Sequence, residues 1–351
     1  MAVPTRRVDP IVVDREFVTG LLELTAEEWR ERTGDYVFRA ELDAACGRLV
    51  TQAYGDGDPV ALRRLHDTLA VIYDQDFGVT ELAKVHCETQ PILRDVAARL
   101  EQPVLAYELA QVDERQLQDY PADGRSFVHW LKRIIVEHPA GQHELYRSYL
   151  LKHATPADYR FFMAQETCLD PRFDDILALM QLGTSGQEKL ELAGNYWDEM
   201  GNGNPDDVHT RMFAAALDAL SIDDAYLSEN LLLEARISSN LSAALALARR
   251  HYLKSVGYFA VTEYLVPRRF KCMVAGWRRA GLPDAGIRYH DLHIGIDAVH
   301  ASGWFKNVVA PLVQRDPATG REIAIGALIR LNSSQRYLDA LLTRFTSAVP
   351  A

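Results

Sequence analysis

The chain has 351 residues, enough for one large domain or two ordinary ones with a sizeable core. Hydrophobic residues make up 48% and charged residues 25%, which excludes bulk disorder, and the net charge of −11 argues against nucleic acid or an anionic membrane as the main partner. Apolar runs such as "LSAALALA" are far too short to span a bilayer.

The opening "MAVPTRRVDPIVVDREF" lacks an apolar stretch of signal-peptide length, so the expectation is a cytoplasmic protein. Cys46, Cys87, Cys168 and Cys272 are widely separated and form no CxxC pair; reduced, buried thiols are expected. Nearly every long segment then carries helical period: "PVALRRLHDTLAVIYDQDF", "TELAKVHCETQPILRDVAARL", "GRSFVHWLKRIIVEH", "TPADYRFFMAQETCL" and "EKLELAGNYWDEM". So do the long run from "AYLSEN" to "VTEYLV", "RRFKCMVAGWRRAGL" and "SSQRYLDALLTRF". The fold class is all-α. A brief hairpin is expected only at "DPATG", 316–320, followed by "REIAIGALIRL". The polar stretch "DYPADGRS", 119–126, is the candidate joint between an N-terminal helical region, 1–120, and the remainder, 121–351.

Several acids stand where a core is expected. Glu166 has Phe162, Met163 and Leu169 as helical neighbours, and Glu263 has Val256, Phe259, Ala260 and Val266. A carboxylate buried without a partner costs several kcal/mol, so either both acids have cationic partners or both bind metal. In "NYWDEMGNGNPDDVH", Glu199 closes a helix that breaks at "GNGN". Asn204 is placed to cap the next helix, with Pro205 at its first position and Asp206 and Asp207 in its first turn. Helix-dipole acidity accounts for either aspartate alone; Glu199 and His209 have no such explanation. Counting residues to and from the turn "GTSG", 183–186, an antiparallel helix pair brings Glu166 and Glu199 roughly level.

The segment "YHDLHIGIDAVH", 289–300, holds three of the eleven histidines. At about 100° per residue, His293, Asp297 and His300 fall in one stripe, with His290 a neighbour and Asp291 pointing away. The full set is Glu166, Glu199, His209, Glu263, His293, Asp297 and His300, four carboxylates and three imidazoles with no thiolate. One zinc needs four ligands, whereas seven N/O ligands suit a pair of redox metals, iron foremost, in a helical bundle. The Glu-x-x-His pairs of ferritin-like bundles are absent, which points to a different bundle.

The order "FFMAQE", "NYWDEMGNG" with "DDVH", "GYFAVTE" and "HDLHIGIDAVH" resembles the haem-oxygenase-like di-iron oxidases and oxygenases over roughly residues 125–345. The resemblance implies a haem-oxygenase-like helical bundle holding two Fe(II)/Fe(III) ions in place of haem, with the seven residues above as ligands and HxxxDxxH met by His293, Asp297 and His300. It implies O2 as co-substrate and an external electron donor. An extra carboxylate ahead of the ligand histidine is associated with members that N-oxygenate amines or guanidines towards hydroxylamine, nitroso or nitro products in natural-product biosynthesis, and Glu199 fits that role. Asp206, three residues before His209, is the eighth candidate ligand. Other members desaturate or cleave carbon-carbon bonds of amino or fatty acids. The N-terminal extension is similar in kind to one that aids dimerisation, so the expected partners are a small amine-type substrate, a reductant and a second copy of the chain. A non-catalytic metal-binding helical protein and a haem-degrading enzyme are the competing readings. Phe162, Tyr196, Tyr258 and Phe259 are the aromatics expected either to line a substrate pocket or to pack the core.

Overall fold

The computed structural model describes residues 10–88 and 90–347; the first nine residues of the segment read as lacking a signal sequence lie outside them. Among the described residues there is no β-strand, and the fold is all-α. Contacts divide the chain into two compact units after Tyr107.

The first unit contains α1 (Arg15–Leu22), α2 (Ala26–Gly34), α3 (Tyr36–Val50), α4 (Pro59–Phe77) and most of α5 (Pro91–Ala110). Each of the first four starts where an acidic or hydroxyl side chain accepts a bond from an otherwise orphaned backbone N–H: Asp14, Thr25, Asp35 and Asp58. Thr25 and Glu28 complete a reciprocal capping box. Val18, Trp29, Leu65, Ile72, Val96 and Leu100 are among the side chains that fill its core.

The second unit carries α6 (Gly124–Glu137), α7 (Pro156–Glu166), α8 (Phe173–Met180), α9 (Gly186–Glu199), α10 (His209–Ala219) and α11 (Asp224–Asn230). It continues with α12 (Leu233–Leu247), α13 (Tyr252–Arg279), α14 (Arg288–Gly303), α15 (Ala310–Arg315) and α16 (Thr319–Ser347). Helices α13 and α16 form its axis, and α14 packs along α13. The axis is tight because of two glycines. A Cβ on Gly257 would stand 1.8 Å from the Ile323 carbonyl oxygen, and one on Gly326 would stand 1.9 Å from that of Lys254. Only residues without side chains allow the backbones so close. Between α14 and α15, Trp304–Val309 forms a π-helical stretch, so the chain runs as one continuous helical path from α14 into α15.

Three expectations are corrected. The hairpin after 316–320 does not form; Thr319 onward is the 29-residue α16, whose apolar face packs on α13. The long run before Glu263 is interrupted, with α12 ending at Leu247 and α13 starting at Tyr252 after a short 3-10 turn, Arg249–His251. Helix α13 then continues past Glu263 and through Pro267 to Arg279. Finally, Asn204 caps a single 3-10 turn, Pro205–Asp207, and the helix proper begins at His209. The four cysteines are free, three of them buried, and no described helix is long and apolar enough to cross a membrane.

Candidate metal centre

Six of the eight candidate ligands converge as two buried groups of three, in each of which one ligand atom per residue lies within 4.8 Å of the others. The first is Glu199, His209 and His293; the second is Glu263, Asp297 and His300. Helix ends and helix faces place them differently. Glu199 is the last residue of α9 and His209 the first of α10, so the intervening turns fold back and set the two side by side. Gly201 enables that reversal: its φ is +60°, and a Cβ there would come within 2.5 Å of the Asp207 backbone. His293, Asp297 and His300 lie on the buried face of α14, while Glu263 faces them from α13.

In the first group, His209 Nδ1 lies 2.6 Å from Glu199 Oε2 and His293 Nε2 lies 3.9 Å from Glu199 Oε1. His293 Nδ1 donates to the Tyr289 carbonyl at 2.7 Å; since a carbonyl only accepts, Nε2 is the nitrogen turned towards the centre. In the second group, His300 Nδ1 lies 3.5 Å from Asp297 Oδ1 and 3.7 Å from Glu263 Oε2. Its other nitrogen is 2.8 Å from Asp198 Oδ2. Asp198 thus holds the His300 ring by its outer nitrogen, the arrangement by which carboxylates orient imidazoles around metals. No sequence signal marks Asp198, which is simply the residue before Glu199.

The electrostatics are those of a centre that holds protons when no cation is bound. Burial alone would raise Glu199, but hydrogen bonds from His209 and His293 outweigh it and hold the carboxyl down at about 2. Burial pulls His293 and His300 down, yet Asp297, Glu199 and Glu263 overcome it and raise them to about 10 and about 9. Burial, then the charge of Asp297, pushes Glu263 well above the usual carboxylate range.

The residues fit a metal pair. Glu263 Oε1 and His300 Nδ1 are buried with no hydrogen-bond partner, which is costly for groups that serve only to pack. The first group is a two-histidine, one-carboxylate set, the donor combination of non-haem iron sites; the second offers two carboxylates and one histidine. Neither contains a thiolate, so a structural zinc knot is not the match.

The other two candidates stand apart. Asp206 is exposed on the 3-10 turn and pairs with Arg211 at 2.9 Å, so the reading as helix-start acidity describes it better than ligation. Glu166 ends α7 and does not join either group; Tyr337 Oη donates to its Oε1 at 2.7 Å, and it shares a cavity of about 50 Å³ with Arg269 and Arg330. The antiparallel pairing expected to bring Glu166 level with Glu199 fails because α7 stops there: the helix that packs on α9 is α8, which begins at Phe173 after a 3-10 turn, Asp170–Arg172. His290 is fully buried with neither ring nitrogen bonded, in an edge contact with Phe270 at 4.7 Å between centroids, so it supports no ligand through a hydrogen bond.

A cavity of about 30 Å³ joins the two groups, with Glu263, His293 and Asp297 in its wall. Its aromatic lining is Phe173, Phe270 and Tyr289. Of the aromatics expected from the sequence, Phe162, Tyr258 and Phe259 are fully buried, and neither they nor Tyr196 line this cavity. An open groove of about 780 Å³ on the outer side reaches His209 and Asp198 between Arg278, Arg288 and Leu292.

An all-α unit carrying two buried histidine–carboxylate sets has the donors that a metal-binding protein requires. The chain belongs to the iron-containing redox enzyme family, whose model matches residues 160–335 and so spans every candidate ligand. It is therefore an oxidoreductase, and the buried sets fit iron. One similar solved structure is a domain of unknown function with a haem oxygenase-like fold from Shewanella denitrificans OS217. It is 16% identical, covers 67% of this chain and 94% of its own, and has a TM-score of 0.45. No curated protein matches the chain.

Proposed function

We propose that the chain is a non-haem di-iron oxygenase that uses O2 and an external reductant to N-oxygenate a small amine or guanidine. The observation that carries this reading is the pairing of two buried three-donor N/O groups across one small cavity. Bound there, two iron ions would supply the activation of O2 that no protein side chain provides. Glu199, His209 and His293 would hold one ion, and Glu263, Asp297 and His300 the other.

The chain's own residues supply orientation and proton handling. Tyr289 and Asp198 fix the rings of His293 and His300, so the donor atoms face inward before a cation arrives. Phe173, Phe270 and Tyr289 contribute aromatic surface to the cavity wall beside the donor residues and limit the water it admits. The protons on the His293 and His300 imidazoles must leave for the groups to ligate, so iron uptake is linked to proton release. The N-oxygenating subtype is supported by Glu199, which joins His209 in the first group whereas Asp206 does not. The outer groove beside His209 offers a small molecule a way in.

The test is anaerobic Fe(II) titration followed by O2 consumption with and without candidate amines. Uptake of about two ions per chain and amine-stimulated O2 uptake yielding an N-oxygenated product are expected. Desaturated or chain-shortened products would overturn the N-oxygenase assignment alone, and failure to bind a second ion would overturn the di-iron reading.

A further inference from the structure

We propose that Asp170, and not Glu166, is the carboxylate that the α7–α8 segment contributes to the metal centre, and that Glu166 serves as the internal counter-ion of Arg269 and Arg330. This rests on the reading of the two buried groups as a metal centre.

Three observations converge on Asp170. It lines the small cavity between the two groups together with Glu263, His293 and Asp297, so four donor residues surround one space. At about 30 Å³ that space exceeds the roughly 10–15 Å³ needed for a single water-sized occupant. Its Oδ2 is buried with no hydrogen-bond partner, an arrangement a fold tolerates when the atom has a cation to meet.

The backbone explains why this residue and not its neighbour is in place. Because α7 ends at Glu166, the strand of chain that runs antiparallel to α9 starts with the 3-10 turn at Asp170. Asp170 lies thirteen residues before Gly183 and Glu199 thirteen after Gly186, so folding the chain at that turn sets Asp170 level with Glu199. Glu166 lies four residues further back.

Glu166 is satisfied elsewhere. Tyr337 donates to its Oε1, and the cavity it lines is walled by two guanidinium groups. Arg269 donates to Ser334 Oγ at 3.0 Å and to the Ala140 carbonyl at 2.9 Å, and Arg330 donates to Ser238 Oγ at 2.9 Å. Glu166 is the acid that shares their cavity.

The experiment compares the wild-type chain with Asp170→Asn, Asp170→Glu and Glu166→Gln by anaerobic titration with Co(II), whose visible spectrum reports ligand number, and by thermal unfolding without metal. Asp170→Asn should bind one of the two ions at least tenfold more weakly and change the cobalt spectrum, yet unfold at the wild-type temperature without metal. Asp170→Glu should recover part of the affinity. Glu166→Gln should keep wild-type cobalt stoichiometry and spectrum but unfold at lower temperature, because two arginines lose their counter-charge. A wild type that binds two ions alongside an Asp170→Asn variant that binds them equally well overturns the assignment of Asp170. Loss of an ion in Glu166→Gln overturns the counter-ion role. A wild type that takes up no metal refutes the centre itself, a different result from either.

Discussion

Replacing Gly257 with alanine tests whether the metal centre depends on how closely the two axial helices approach. The new Cβ would stand 1.8 Å from the Ile323 carbonyl oxygen, 2.8 Å from its carbon and 2.9 Å from the Ala327 nitrogen, where real contacts begin near 3.0–3.4 Å. Those atoms are backbone and cannot swing aside, so α13 and α16 must part by more than an ångström. Overpacking typically costs 1–3 kcal/mol, and backbone-on-backbone conflict belongs at the upper end, about 3 kcal/mol. For a unit of this size each kcal/mol lowers Tm by roughly 2–4 °C, giving an expected fall of about 6–12 °C by calorimetry. Glu263 lies six residues further along α13, about 9 Å by helical rise. The displacement therefore reaches a donor of the second group, and Co(II) affinity should fall with stability. Gly295→Ala is the control: its Cβ meets nothing within 4 Å, and an alanine inside α14 should add about 0.5–1 kcal/mol. A Gly257→Ala protein that melts within a degree or two of wild type and keeps its cobalt affinity would refute the reasoning.

Other outcomes follow from groups described above. His290→Phe should leave Co(II) binding intact and hold or raise Tm, because a buried imidazole bonded to nothing is replaced by a ring that needs no partner; weakened metal binding would show that His290 supports the centre after all. His251, depressed to about 4 by burial and then by Arg250 and Lys254, contributes stability that is full above its unfolded value of 6.5 and is lost as pH falls towards 4. Urea unfolding of His251→Gln should therefore depend less on pH across that window than wild type, and an unchanged slope would remove His251 from the account. Iron at a hundred times its Kd should stabilise the fold by about 2.7 kcal/mol, a gain that chelator must reverse in a melting experiment. With His293 and His300 raised to about 10 and 9, metal uptake at pH 7.5 should release protons, measurable with a weakly buffered indicator, and affinity should fall as pH is lowered.

The all-α class was legible because helical period runs through nearly every segment. Among the converging residues, His293, Asp297 and His300 were legible by their common stripe, Glu199 and His209 as an acid and an imidazole that helix-start acidity does not explain, and Glu263 as an acid on an apolar stripe. The same logic selected Glu166, and its limit shows there: an apolar stripe announces burial, not the identity of the partner, which here is Tyr337 and the arginine cavity. Asp170 was hidden for the converse reason. It lies in a 3-10 turn, where no period-3.6 stripe exists to mark a buried position. Glu166 stands level with Glu199 only if one unbroken helix runs up to the turn, and the end of α7 moves the match to Asp170. The break before α13 carries neither glycine nor proline at 248–251, so no local signal marked it. At 316–320, turn chemistry suggested a hairpin, but the apolar face of α16 gains more by lying along α13 than two short strands could by pairing.

The π-helical stretch at Trp304–Val309 bears on how the chain tolerates changes in length. His300 must face Glu263 on one side of it, while on the other the Ala310 backbone packs so tightly on Gly124 that a Cβ there would stand 2.1 Å away. The wide turn adds a residue between those two requirements and so sets their relative phase. Deleting a single residue from 304–309 would restore ordinary helical spacing and turn one side against the other by about 100°. Such a chain could keep its converging donor groups or its seam with α6, but not both, which makes this largely buried joint between two helices one of the places where an insertion or deletion is least affordable.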